Sequence, residues 1–167
     1  MTQAPILTGD TIRLRPHRLS DMDAFWAFYQ SPRAALMDAP NSQTHLWYGF
    51  ASEVGSWDLT GMGGWAIETQ DGDFAGQVAI THPPHFAETE LGWMVFDGFE
   101  GRGIAGEATN LALTYARNTL KPVSLVSYIH KDNTRSIALA QRLGARPDPA
   151  AIPHDETDVV YRHEVPQ

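Results

Sequence analysis

Cysteine is absent from the 167 residues. That removes disulfide cross-links, thiolate metal ligation and a cysteine nucleophile. Basic residues are also scarce, with 12 Lys and Arg against 20 Asp and Glu, a formal net charge of -8. Nucleic-acid binders carry the opposite balance, so no nucleic-acid partner is expected. No apolar run is long enough to span a bilayer. The opening MTQAPILTGD has neither the basic start nor the apolar stretch of a signal peptide. With no cysteine and no membrane segment, the chain reads as cytoplasmic. Repeats, low-complexity tracts and long linkers are missing too, so residues 1–167 read as one domain. Metal-site spacing is lacking among the seven histidines. His82 and His85 bracket two prolines and read as a rigid loop, while His17, His45, His130, His154 and His163 read as surface or packing residues.

What is present is a 43% hydrophobic content distributed with clear periods. Thr11 to Pro16 alternates as a strand. Ser20 reads as the N-cap of a helix over Asp21–Gln30, with Asp23 as its acidic partner. A second helix is expected over Ser42–Trp57, with Leu46, Phe50, Val54 and Trp57 on one side. Gly64–Thr69 and Phe74–Thr81 read as strands joined by a turn at Gln70–Asp73, and Thr89–Phe96 as a third. From Gly103 a helix begins, with Ile104, Ala108, Leu111 and Tyr115 as its buried stripe. Val123–Ile129 is a strand, Asp132–Leu143 a helix stopped by Gly144, and Val159–Val165 a last strand. This order predicts an α+β fold with a mixed, mostly antiparallel sheet.

Gly101, Gly103 and Gly106 spell G-x-G-x-x-G. A dinucleotide site would need a carboxylate at the end of the next strand, and Val123–Ile129 has none. A P-loop would need a following Gly-Lys-Ser/Thr, which is missing. Two readings remain open: a glycine turn that merely starts a helix, or small residues that let an anion approach a helix N-terminus. Arg102 adds a nearby cation in the second reading.

The ordered set Glu90-Leu91-Gly92-Trp93-Met94-Val95, Gly101 to Ala108, Asn133-Thr134-Arg135-Ser136 and Arg142-Leu143-Gly144-Ala145 resembles the GNAT superfamily of acetyltransferases. With Ile12 to Pro16, Ser20-Asp21 and Tyr161-Arg162-His163, it is most similar to the branch of ribosomal-protein N-terminal acetyltransferases. The resemblance implies a GNAT-like sheet of about six to seven strands flanked by about four helices, and acetyl-CoA as cosubstrate. It places the pyrophosphate on amides from Arg102 through Gly103, Ile104, Ala105 and Gly106 to Glu107. The pantetheine arm would lie along the backbone of Met94, Val95 and Phe96, with Asn133 hydrogen-bonding it. Glu100 stands where the family has Gln or Arg, and puts a charge of the wrong sign beside the phosphates. Branch members often pair as homodimers, although the sequence itself does not fix the oligomeric state.

Acetyl transfer to an amine needs a neutral nucleophile, a donor for the oxyanion and relief for the leaving thiolate. The resemblance assigns Glu90 as base, with Glu88 as the alternative two residues earlier, and Ser136 as donor to the thiolate. Ala140 occupies the position of the tyrosine acid of many family members. The aromatic-rich N-terminal region would shape the acceptor site, and the acidic balance favours a small-molecule amine or a protein N-terminus. The expected function is acetyl-CoA-dependent N-acetylation by direct attack. The alternatives are a non-catalytic acyl-CoA-binding domain, kept in view by Glu100 and Ala140, and a small dinucleotide-dependent oxidoreductase, against which the missing ribose carboxylate argues.

Overall fold

The computed structural model of the chain describes residues 3–166. Among them lie β1 (Leu7–Thr8), β2 (Ile12–Arg15), α1 (Met22–Tyr29), α2 (Gln43–Thr60), β3 (Gly63–Thr69), β4 (Phe74–Thr81), β5 (Thr89–Val95), α3 (Ile104–Tyr115), β6 (Leu125–His130), α4 (Thr134–Arg142), β7 (Arg146–Pro147) and β8 (Asp158–Arg162). The strands form one 8-stranded sheet in the order β1-β2-β3-β4-β5-β6-β8-β7. Only the central β5–β6 contact is parallel, so the mixed, mostly antiparallel α+β architecture is as expected. The strand count exceeds the expected six to seven because β1 and β7 are two residues each, too short to leave an alternating signature.

Two faces of the sheet do different work. Trp65, Ile67, Val78, Ile80, Leu91 and Val95 pack with Ile104, Ala108, Ala112 and Leu113 of α3 in the main core. On the other face, Phe25, Phe28, Leu46 and Phe50 of α1 and α2 close over Phe96, with Phe74 and Met94 against them. The period-2 alternation of the strands therefore sends Gln77, Ala79 and Thr81 of β4 and Glu90, Gly92 and Met94 of β5 toward the α1–α2 side. Gly76 is required where β4 pairs with Val95 of β5: a Cβ there would overlap the carbonyl oxygen of Met94, and backbone cannot retreat.

Several local expectations change. The turn before α1 is organised by Asp21, not Ser20. Asp21 accepts the Arg18 N–H at 2.8 Å and a two-pronged contact from Arg15 at 2.8 and 3.0 Å, and Ser20 is exposed. Arg15 also donates to Glu68, which Arg13 grips as well, so a buried ion network ties β2, β3 and this turn together. Val54 lies outside the α2 stripe and is exposed, as is Val123 before β6. In α3 the fully buried residues are Ile104, Ala108, Thr109, Ala112 and Leu113, and the expected Leu111 and Tyr115 are half-buried against the same core, so the apolar face is wider than the sequence reading.

Candidate active site

β5 and β6 pair at only two positions, Thr89 with Leu125 and Glu90 with Val126. Beyond them the strands part. The last rung is a side chain: the Ser127 hydroxyl donates to the Leu91 carbonyl at 2.6 Å. With that proton committed, His163 Nε2 donates to the same hydroxyl at 2.9 Å. Burial, then the nearby Arg117, pushes His163 down to about 4, so it stays neutral. His163 thus has a packing role, as a buried strut of the splay.

A cleft of about 1510 Å³ opens at this splay, bordered by β5, the start of α3, β6, α4 and the α1–α2 side. At one end lies the glycine loop. Gly103 takes the left-handed conformation (φ 77°) as N-cap of α3, and a Cβ on Gly101 or Gly103 would meet nothing within 4 Å. The first helical bond runs from Glu107 N–H to the Gly103 carbonyl at 3.0 Å. The amides of Ile104, Ala105 and Gly106 therefore have no intrahelical acceptor. Glu107 does not share this role: its amide is spent, and its carboxylate accepts from the Thr11 amide and hydroxyl on the far side. The Arg102 side chain does not border the cleft but lies over the Phe99 ring, 5.5 Å from its centroid. Arg33, Arg135 and Arg142 border it instead.

Glu100 is paired in place. Arg33, from the 3-10 turn Pro32–Leu36, bridges Glu100 and Asp97. Backbone donors of the turn hold the Glu100 carboxyl below its ordinary value, with Arg33 and Arg135 adding to the effect. Arg33 was invisible in the sequence because it lies 67 residues from its partner, and no local pattern links the two.

Alternation along β5 decides which backbone groups face the gap. The Phe96 N–H bonds the Ala75 carbonyl at 2.9 Å, and Met94 stands opposite Gln77 in the same ladder. The main-chain groups of Met94 and Phe96 therefore point at β4. Those of Trp93 and Val95 point into the gap, as the Leu91 carbonyl does. Of the three residues expected along the pantetheine arm, Val95 turns its main chain to the gap, while Met94 and Phe96 turn theirs to β4.

Asn133 is the N-cap of α4, and its side-chain oxygen accepts the Ser136 amide at 3.2 Å. Both residues border the cleft. One turn on, Ala140 is fully buried beside Ile129, Ala145 and Tyr161, so this position offers no acid. The cleft-lining Tyr128 has a buried hydroxyl with no partner, and burial, then Glu88 and Glu90, raises its pKa.

At the opposite end stand carboxyl groups. Glu90 is 22% exposed; burial first, then the charges of Glu53 and Asp158, pushes it up to about 8. Glu53, on α2, is pushed up to about 7 by burial, and its Oε2 has no partner. His154 Nε2 lies 4.0 Å from Glu90 Oε2, and its ring lies 3.6 Å from Tyr128 and 4.0 Å from Phe86, centroid to centroid. His154 is an exposed residue, as expected, and its ring borders the cleft beside Glu90. Glu88 is committed elsewhere, held by both Arg162 guanidinium nitrogens at 2.6 and 2.9 Å. Glu53 and His154 sit 37 and 64 residues from Glu90 in sequence, and only the fold brings them together.

Among the described residues no group of three metal-binding side chains occurs, and no helix is long and apolar enough to cross a membrane.

The sequence profile of the acetyltransferase (GNAT) domain matches residues 11–146. An acetyltransferase from Agrobacterium tumefaciens str. C58 superposes with a TM-score of 0.92 at 36% identity, over 96% of this chain and 95% of that one. RimL, a ribosomal alpha-N-protein acetyltransferase solved in complex with coenzyme A, superposes at 0.77 and 21% identity, over 96% and 98% of the two chains.

Proposed function

The chain belongs to the GNAT acetyltransferase family, whose cosubstrate is acetyl-CoA, and from that premise we propose that it acetylates a primary amine by direct attack on the thioester. The acceptor is a small-molecule amine or a peptide N-terminus. The reading rests foremost on one observation: Glu90, a largely buried carboxyl, borders the cleft beside the gap where β5 and β6 part, and burial pushes it up. An amine arrives as an ammonium, and a carboxyl that ionises near the working pH is present in part as the carboxylate, which takes the ammonium's proton with a matched affinity.

The other parts have matching candidates. The free amides of Ile104, Ala105 and Gly106, with the left-handed Gly103, hold the pyrophosphate. Arg33 offsets Glu100 beside them. Trp93 and Val95 pair with the pantetheine arm and present N–H groups to the carbonyl oxygen as it gains charge. Asn133 keeps its amide nitrogen for the arm while its oxygen caps α4. Glu90 takes the ammonium's proton, the neutral nitrogen attacks the carbonyl carbon, the carbon–sulfur bond breaks, and the second nitrogen proton leaves to the thiolate or to solvent. The Ser136 hydroxyl donates to the departing thiolate, whose low basicity makes a dedicated strong acid unnecessary.

The test is release of free thiol from acetyl-CoA across a panel of primary amines and short peptides. Amine-dependent release that collapses in Glu90→Gln supports the reading. Tight acetyl-CoA binding with no amine-dependent release would leave an acyl-CoA-binding domain instead.

A further inference from the structure

Gly64, Ala79 and Gly92 lie side by side across β3, β4 and β5. All three face the α1–α2 side, so the sheet has a floor without bulk there. A carboxyl group stands at each end of this floor. A Cβ placed on Gly92 would lie 3.5 Å from Glu90 Oε1, and one on Gly64 would lie 2.9 Å from Glu53 Oε2. Two strand spacings separate the ends, roughly 9–10 Å. Glu53 and Glu90 both border the cleft.

The Glu53 end is built. The His17 side chain is fully buried, caged by Phe25, Phe50 and Phe74, and its Nδ1 faces Asp21 Oδ2 at 3.4 Å. Its Nε2 and the Glu53 Oε2 are both buried without a hydrogen-bond partner. Both converge on the same point above Gly64, with Gln77 Oε1 3.1 Å from it. A carboxyl held this way, with no Lys or Arg in ion-pair reach among the described residues, is costly to keep unless a ligand uses it. The charges around this part of the cleft agree: Asp38 acts on Tyr29 together with Glu53, and Asp158 acts on Glu90, while Arg33 and Arg135 of the cleft stand by Glu100.

We propose that Glu53 selects the acceptor: it receives a second cationic nitrogen of the molecule whose primary amine is presented to Glu90. The inference rests on the acetyl-transfer reading above and names its acceptor class, a short diamine. Two strand spacings are a span that a diamine on a short carbon chain bridges with a charge-assisted hydrogen bond at each end, and 1,3-diaminopropane represents that class. The nitrogen at Glu90 loses its proton and is acetylated; the nitrogen at Glu53 keeps its charge and only anchors.

The experiment compares propylamine with 1,3-diaminopropane by thiol release. The wild type favours the diamine in kcat/KM by about 10-fold or more, the weight of one charged hydrogen bond. Glu53→Gln erases that ratio, chiefly through KM for the diamine. Glu53→Asp, which keeps the charge on a stem one carbon shorter, moves the preference toward a longer diamine. A wild type indifferent to the second nitrogen, or a Glu53→Gln variant with the same ratio, overturns the proposal. Should no amine be acetylated, the transfer reading fails, and calorimetry of 1,3-diaminopropane on the CoA-loaded protein still decides on Glu53. Binding lost in Glu53→Gln upholds it; binding unchanged, or absent from the wild type, refutes it.

Discussion

Replacing Glu90 by Gln probes the base in two independent ways. Its carboxyl is raised from 4.5 to about 8, with burial as the largest cause. Each unit corresponds to about 1.4 kcal/mol, so ionising the group in place costs on the order of 4–5 kcal/mol. The side chain is 22% exposed, which reduces the figure to about 2–4 kcal/mol. The sign follows from proton counting: the folded chain keeps a proton that the unfolded chain has released. The stability that this proton carries is complete below the ordinary carboxyl value and is lost as pH rises through about 8. Gln carries no such dependence. Urea unfolding should therefore give Glu90→Gln little advantage near about pH 5 and an advantage of about 2–4 kcal/mol near about pH 9. In the same variant kcat/KM should fall by about 10²–10⁴-fold and lose the limb that rises with pH through the Glu90 ionisation. An equal stability difference at both pH values, or activity that keeps its pH profile, would refute the assignment.

Gly103→Glu should abolish acetyl-CoA binding in calorimetry, since a carboxylate would stand among the free amides of α3 and φ 77° strains any side chain there; unchanged affinity would remove the loop from the site. Arg33→Ala should weaken acetyl-CoA binding by about 3–10-fold at low salt, and Glu100→Gln added to it should restore the affinity, because the loss comes from two uncompensated carboxylates. Arg15→Met should destabilise the chain by about 3–5 kcal/mol in urea unfolding, since Asp21 and Glu68 would remain buried without their shared cation. That network also carries acid sensitivity. Despite burial, their partners hold the Asp21 and Glu68 carboxyls below the ordinary range, so their contribution is present above that range and is lost as pH falls through the depressed values.

The strands and helices that follow a strong period were legible in the sequence. β3, β4, β5, α3 and α4 fall within a few residues of where apolar spacing and glycine stops put them. Features set by tertiary contact were not. Ser20 has the composition of an N-cap, but Arg15 draws Asp21 inward and the turn follows it. The glycine loop was legible because small residues before a helix have a local physical meaning. Which amides stay free was not, since that depends on where the first helical bond closes. The same holds for β5: the pleat, not the motif, turns Trp93 and Val95 to the gap and Met94 away from it. Glu53, His154 and Arg33 carry no sequence signal, because each matters only through a partner distant in the chain.

The most direct test of acetyl transfer follows both products in one sample: free thiol by colorimetry and the acceptor by mass spectrometry, with acetyl-CoA and a primary amine supplied together. Thiol and N-acetylated amine should form one for one, with no acetyl group left on the protein when the amine is omitted. Thiol release without an acetylated amine, or an acetylated protein that forms first and then passes its group on, would contradict direct transfer at Glu90.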